Sequence, residues 1–313
     1  MQLNSLTRNS SLFALLLAIL VVAVAFVRYH LAPYELEVAD SPYGDGVWLR
    51  VIAAALFVVT ALMAGRLASM SGAFKRICRL PIPLYAVLAC GVALSPDVLV
   101  ASVASLLTMF GMLFMLQNLL VAGEKNTPFM GSLLFGLAAV VYPPCIVLGV
   151  VSIASILLFT LSFRQAVISL VGWLLPLFAA SYLLWYGGSD FTTFAENFVD
   201  ALMAPRVMLD AVPYGAIALV TVVTVVTIVG ALAPTPQSSS LVRTRRAISF
   251  FVVTLVALVA AILLPGCGTA ILSVIAVPAS VLVSIFLCRL SETLSTLLYW
   301  LILAATALHI FMA

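Results

Sequence analysis

The chain has 313 residues, of which 65% are hydrophobic and 8% charged, against roughly 45–50% and 25% in soluble domains. With a mean hydropathy of +1.28, a water-soluble globule would lack the polar groups to cover itself, so the bilayer must solvate most side chains. The net charge of +3 includes no basic run of the kind that tracks phosphates, which excludes a nucleic-acid partner.

A helix that crosses a bilayer needs about 20 mostly apolar residues. In chain order, apolar stretches predict spans at 12–28, 48–66, 81–96, 98–122, 128–142, 144–163, 166–187, 213–233, 247–265, 268–288 and 293–312. The first follows Arg8 and contains Ala23-Val24-Ala25, which mimics a signal-peptidase site. One basic residue is a thin leader, and the apolar run continues to Arg28, so an uncleaved helix is expected.

Charge gives the spans a direction. If all of them cross, eleven of the fourteen Lys and Arg fall on one face, among them Arg66, Lys75, Arg164, Arg245 and Arg289. Nine of the eleven acids fall on the other. The exceptions are Arg28, Arg50 and Arg206 among the bases, and Glu124 and Glu292 among the acids. The positive-inside rule then places the N-terminus in the cytoplasm and the C-terminus outside. The expected fold is all-α, a polytopic transmembrane helical bundle forming one domain over residues 1–313, with about 11 spans.

Two predicted spans, 81–96 and 128–142, are short. Each opens and closes at a proline: Pro81 and Pro96, Pro128 and Pro143. Paired short, Pro-interrupted segments in matching positions can mark a transporter's binding site, and both run in the same direction here. The other reading is that prolines merely mark helix ends. If the two re-enter rather than cross, the count falls to nine, and both must be sheltered by protein.

Two external loops carry content. Residues 29–47 hold Glu35, Glu37, Asp40 and Asp45, flanked by Tyr29 and Trp48 at interface depth. In residues 188–212, Phe191, Phe194, Phe198 and Leu202 recur at helical spacing, with Thr193, Glu196, Asn197 and Asp200 opposite. That pattern predicts an amphipathic helix lying at the external interface. On the inner side, residues 234–246 combine Pro-Thr-Pro-Gln-Ser-Ser-Ser with Arg243, Arg245 and Arg246, and read as a cytoplasmic linker.

Charge buried in lipid is costly and marks function where it occurs. Every ionisable residue here falls at or near a predicted helix end. This argues against transport coupled through buried carboxylates, voltage sensing and a charged permeation path. Gln117 and Asn118, close to the inner end of their helix, are expected to hydrogen-bond to a neighbouring helix.

His30 and His309 are too few to build a di-metal or haem site. The five cysteines stand singly, without metal spacing, and read as small buried hydrophobes. Only Cys145 and Cys267, at predicted external helix ends, are placed to meet an oxidising compartment. No metal and no cofactor is expected. The one cluster able to do chemistry is external. Glu35, Glu37 and Asp40 are the catalytic candidates, and Arg206, Asp190, Glu196 and Asp200 the substrate-binding candidates. Translocated loops also tolerate acids without using them.

The stretch Gly131-Ser-Leu-Leu-Phe-Gly-Leu-Ala-Ala-Val-Val-Tyr142-Pro143-Pro144 is followed by Ser162-Phe-Arg164-Gln and Gly172-Trp-Leu-Leu-Pro176. Together these resemble an uncharacterised family of bacterial multi-pass inner-membrane proteins, over residues 50–190. Some members bear a carotene-monooxygenase label, which two histidines do not support. The resemblance implies the bacterial cytoplasmic membrane and no reaction. The glycine-then-proline helices and the acidic first loop are also similar to membrane-embedded C-type glycosyltransferases acting on polyprenyl-phosphate sugars. In those an external carboxylate is catalytic, which maps loosely onto Glu35, Glu37 or Asp40. The chain is short for that group and lacks an external domain.

The expected function is a scaffold, assembly partner or uncoupled carrier in contact with the lipid bilayer and a membrane-protein partner. The alternative is a polyprenyl-linked glycosyltransferase or flippase working at the external leaflet.

Overall fold

A computed structural model describes residues 11–31, 47–71, 78–89, 98–120, 126–204, 241–268 and 270–312. Among these the protein is helical throughout, without a strand. The helices are α1 (Ser11–Leu31), α2 (Val47–Met70), α3 (Pro81–Ala89), α4 (Val98–Leu120), α5 (Thr127–Val141) and α6 (Val147–Phe159). They continue with α7 (Phe163–Tyr186), α8 (Thr193–Met203), α9 (Leu241–Ala261), α10 (Ile271–Arg289) and α11 (Glu292–Met312). A 3-10 turn, Pro143–Ile146, joins α5 to α6. Among the described residues, five helices are long and apolar enough to cross a membrane: α2, α4, α7, α9 and α10. The predicted span 213–233, the linker 234–240 and residues 205–212 of the expected amphipathic segment lie outside the described residues.

Proline places the α5–α6 break. Pro143 disfavours the helical region for the residue before it, and Tyr142 is accordingly extended, at φ −137 and ψ 99. Pro143 and Pro144 cannot extend α5, because each lacks the N–H that the helical ladder requires. Beyond Thr160, Leu161 adopts a positive φ of 53, and Ser162 caps α7 by accepting from the Gln165 backbone N–H at 3.5 Å.

Contacts between named residues give the helix directions. Gly172 of α7 faces Phe129 and Ser132 of α5, while Gly136 faces Trp173 and Pro176, so α5 and α7 run parallel. Gly149 of α6 lies under the Trp173 indole, and Ser152 Oγ is 3.1 Å from Ser169 Oγ, so α6 is antiparallel to both. Gly111 of α4 meets Gly131 and Phe135, which makes α4 antiparallel to α5. In α10 the Ser273 hydroxyl donates to the Ala101 carbonyl at 3.1 Å, and Cys288 meets Cys78 at the other end.

The centre of the bundle is α10, buried on all sides from Ile271 to Ile285 and packed against α2, α3, α4, α9 and α11. Beside it sits α3, with only nine residues and eight of them buried. It is enclosed by α1, α2, α10 and α11. The short segment expected at 81–96 is therefore sheltered by protein over its described part, which ends at Ala89. The second, expected at 128–142, belongs to a different neighbourhood, between α4 and α7.

Candidate functional site

Polar and charged groups lie in three places: the two ends of the bundle and its interior. The helix directions gather Arg66, Arg79, Arg164, Arg245, Arg246 and Arg289 at one end. Asp190, Glu196 and Asp200 lie at the other, with Arg50 and Glu292 as the exceptions at each end. The signs sorted along the sequence are thus also sorted in space. No charged side chain is buried among the described residues; the buried polar ones are Ser, Thr and Asn.

At the acidic end four elements meet. The Tyr142 hydroxyl accepts from the Gly268 N–H at 2.8 Å and donates to the Gly268 carbonyl at 3.0 Å. It thereby clasps the α5–α6 break to the turn before α10. Nearby, the Gly266 N–H donates to the Leu202 carbonyl at 2.7 Å and holds the last turn of α8. A side chain at Gly266 would run into the Ala201 carbonyl, so the turn tolerates only glycine at this approach. Cys145 and Cys267, expected where an oxidising compartment could reach them, are both buried in this joint.

On α8, Phe194, Phe198, Ala201 and Leu202 are half-buried on the side that packs on α7 and the 3-10 turn. Glu196, Asn197 and Asp200 are exposed, and so is Phe191, which the spacing had placed on the apolar face. Thr193, expected on the polar face, is half-buried. Of the substrate-binding candidates, Asp190, Glu196 and Asp200 stand in the open. Arg206 and the catalytic candidates Glu35, Glu37 and Asp40 lie outside the described residues. Among the described residues, no group of three or more His, Cys, Asp or Glu is placed to hold a metal ion.

The interior carries a neutral hydroxyl array. Tyr85 of the enclosed α3 donates to Ser105 Oγ at 2.9 Å, and Ser105 donates to the Ser102 carbonyl at 2.9 Å. One turn further along α4, the Thr108 hydroxyl is fully buried and has no partner among the described residues. Asn118, at the basic end of α4, accepts from Thr127 of α5 at 3.4 Å, while its amide N–H group finds no partner among the described residues. This is the helix–helix bond expected of the Gln117–Asn118 pair. Such an array ties helices together and offers uncharged donors and acceptors. It contains no carboxylate, imidazole or amine among the described residues.

Sequence reading missed both the Tyr142 clasp and the Tyr85–Ser105 bond. The prolines after Tyr142 signalled a break there, but nothing local pointed to Gly268. The family-like positions prove to be packing positions. Gly131, Gly136, Gly172, Trp173 and Pro176 bring α4, α5, α6 and α7 to backbone distance, as small residues do between helices in lipid.

A family model described as a family of unknown function (DUF6427) matches residues 1–313. No curated protein and no solved structure matches the chain.

Proposed function

We propose a role from geometry, because the chain belongs to the DUF6427 family, a family of unknown function, and membership brings no activity with it. The protein is a scaffold or assembly partner in a bacterial cytoplasmic membrane. It crosses about eleven times, with its basic end and N-terminus in the cytoplasm and its acidic end and C-terminus outside. The observation that carries this reading is the interior: every buried polar side chain among the described residues is neutral. Ionisable groups inside the membrane mark proton relays and charged pathways where they occur. The close α4–α5–α6–α7 contacts also suit a fixed block better than a moving one.

A scaffold needs a face for its partner. On α7, Val167, Val171, Leu175, Phe178 and Tyr182 form one exposed apolar stripe along the helix. A photo-crosslinking residue placed at Val171, Leu175 or Phe178 in native membranes should yield one defined protein adduct at all three positions. Lipid adducts alone would refute the reading.

The second reading, an uncoupled carrier for a small uncharged solute, is favoured by Thr108, a buried hydroxyl one turn along α4 from the Ser105 that Tyr85 of α3 meets. It requires flux in proteoliposomes that follows the solute gradient and ignores membrane potential. The glycosyltransferase or flippase reading needs convergent external carboxylates. Of these, Asp190, Glu196 and Asp200 are exposed at the acidic end, and Glu35, Glu37 and Asp40 lie outside the described residues.

A further inference from the structure

Cys78 and Cys288 are 210 residues apart in sequence, yet their sulfurs lie 3.6 Å from each other. Both are thiols. That separation is sulfur-to-sulfur contact, and a disulfide closes it to about 2.05 Å. Cys78 lies in the non-helical lead-in to α3, and Cys288 lies one residue from the end of α10. The two differ in access, since Cys78 is buried and Cys288 only partly so.

We propose that Cys78 and Cys288 form a redox-active dithiol site that reacts with low-molecular-weight disulfides and, when oxidised, ties the start of α3 to the end of α10. Access sets the order of events. The Cys288 thiolate attacks one sulfur of the small disulfide, forming a mixed disulfide and releasing one small thiolate. Cys78 gives up its proton and attacks the Cys288 sulfur, which expels the second small thiolate. The protein loses two protons and two electrons, and the small disulfide is reduced to two thiols. The site does not depend on the proposed scaffold role or on the direction of insertion.

The test treats the full-length protein in detergent with glutathione disulfide, blocks remaining thiols, and maps tryptic peptides without reduction. The wild type should give a Cys78–Cys288 crosslinked peptide as the majority species. Cys78→Ser should trap glutathione on Cys288, whereas Cys288→Ser should leave Cys78 unmodified until the protein is denatured. Glutathione retained on Cys288 of the wild type beside a free Cys78 thiol would overturn the proposal, as would recovery of both thiols unreacted. If either variant does not fold, the wild-type map decides alone.

Discussion

Replacing Gly172 by alanine puts a methyl group where the α5–α7 contact has no room for it. The added Cβ would lie 2.6 Å from Ser132 Oγ and 2.7 Å from the Phe129 carbonyl oxygen, against the 3.4 Å at which ordinary van der Waals contact begins. Ser132 can be trimmed, but the Phe129 carbonyl belongs to the α5 backbone and cannot turn away. The helices must therefore separate, and a gap of about 0.5–1 Å forfeits roughly a quarter to a half of the dispersion attraction. Overpacking of this kind costs about 1–3 kcal/mol, and a backbone obstacle belongs at the upper end. Alanine returns up to about 1 kcal/mol through helix propensity. The net expectation is a loss of roughly 2 kcal/mol, or about 30-fold in the folded-to-unfolded ratio. Gly187→Ala is the control: its nearest neighbours are carbonyl oxygens at 3.3 and 3.5 Å, and its φ is −75. Reversible unfolding in mixed micelles should separate the two variants clearly, and adding Ser132→Ala to Gly172→Ala should not restore stability. Equal stability for Gly172→Ala and Gly187→Ala would refute the account of this interface.

Other substitutions probe the ends and the interior. Tyr142→Phe leaves the buried N–H and carbonyl of Gly268 without the hydroxyl that serves both, which should cost about 1–3 kcal/mol; an unchanged thermal midpoint would contradict the clasp. Thr108→Val removes a buried hydroxyl with no partner among the described residues and should leave stability unchanged or raise it by up to about 1 kcal/mol. A marked loss in the same unfolding assay would mean that the hydroxyl is engaged. Glu196→Gln combined with Asp200→Asn alters two exposed groups and should stay within about 0.5 kcal/mol of the wild type, with a larger shift showing that these carboxylates bind something.

Apolar length made the helices legible. Spans expected at 48–66, 98–122 and 166–187 appear as Val47–Met70, Val98–Leu120 and Phe163–Tyr186, because in lipid a backbone must satisfy itself within the segment. Proline placed the ends of α5, and the phenylalanine spacing found α8 while misplacing Phe191. Partners remote in sequence were not legible. Nothing in the residues around Tyr142 names Gly268, and nothing around Cys78 names Cys288, since each pair forms only after α10 has packed into the centre of the bundle. The role of Gly172 was hidden for the same reason: a glycine in a helix reads as a weakness until the carbonyl it admits is known. The first-loop acids Glu35, Glu37 and Asp40 followed from charge alone, and charge names a face without naming a geometry.

The proposed topology puts the two signs of charge on opposite faces of a membrane. Between Arg246 and Ala313 run three helices, α9, α10 and α11, so the two positions must lie on opposite sides if each helix crosses. A topology reporter fused after Arg246 should read cytoplasmic, and the same reporter after Ala313 should read external. Both fusions reporting the same side would contradict it.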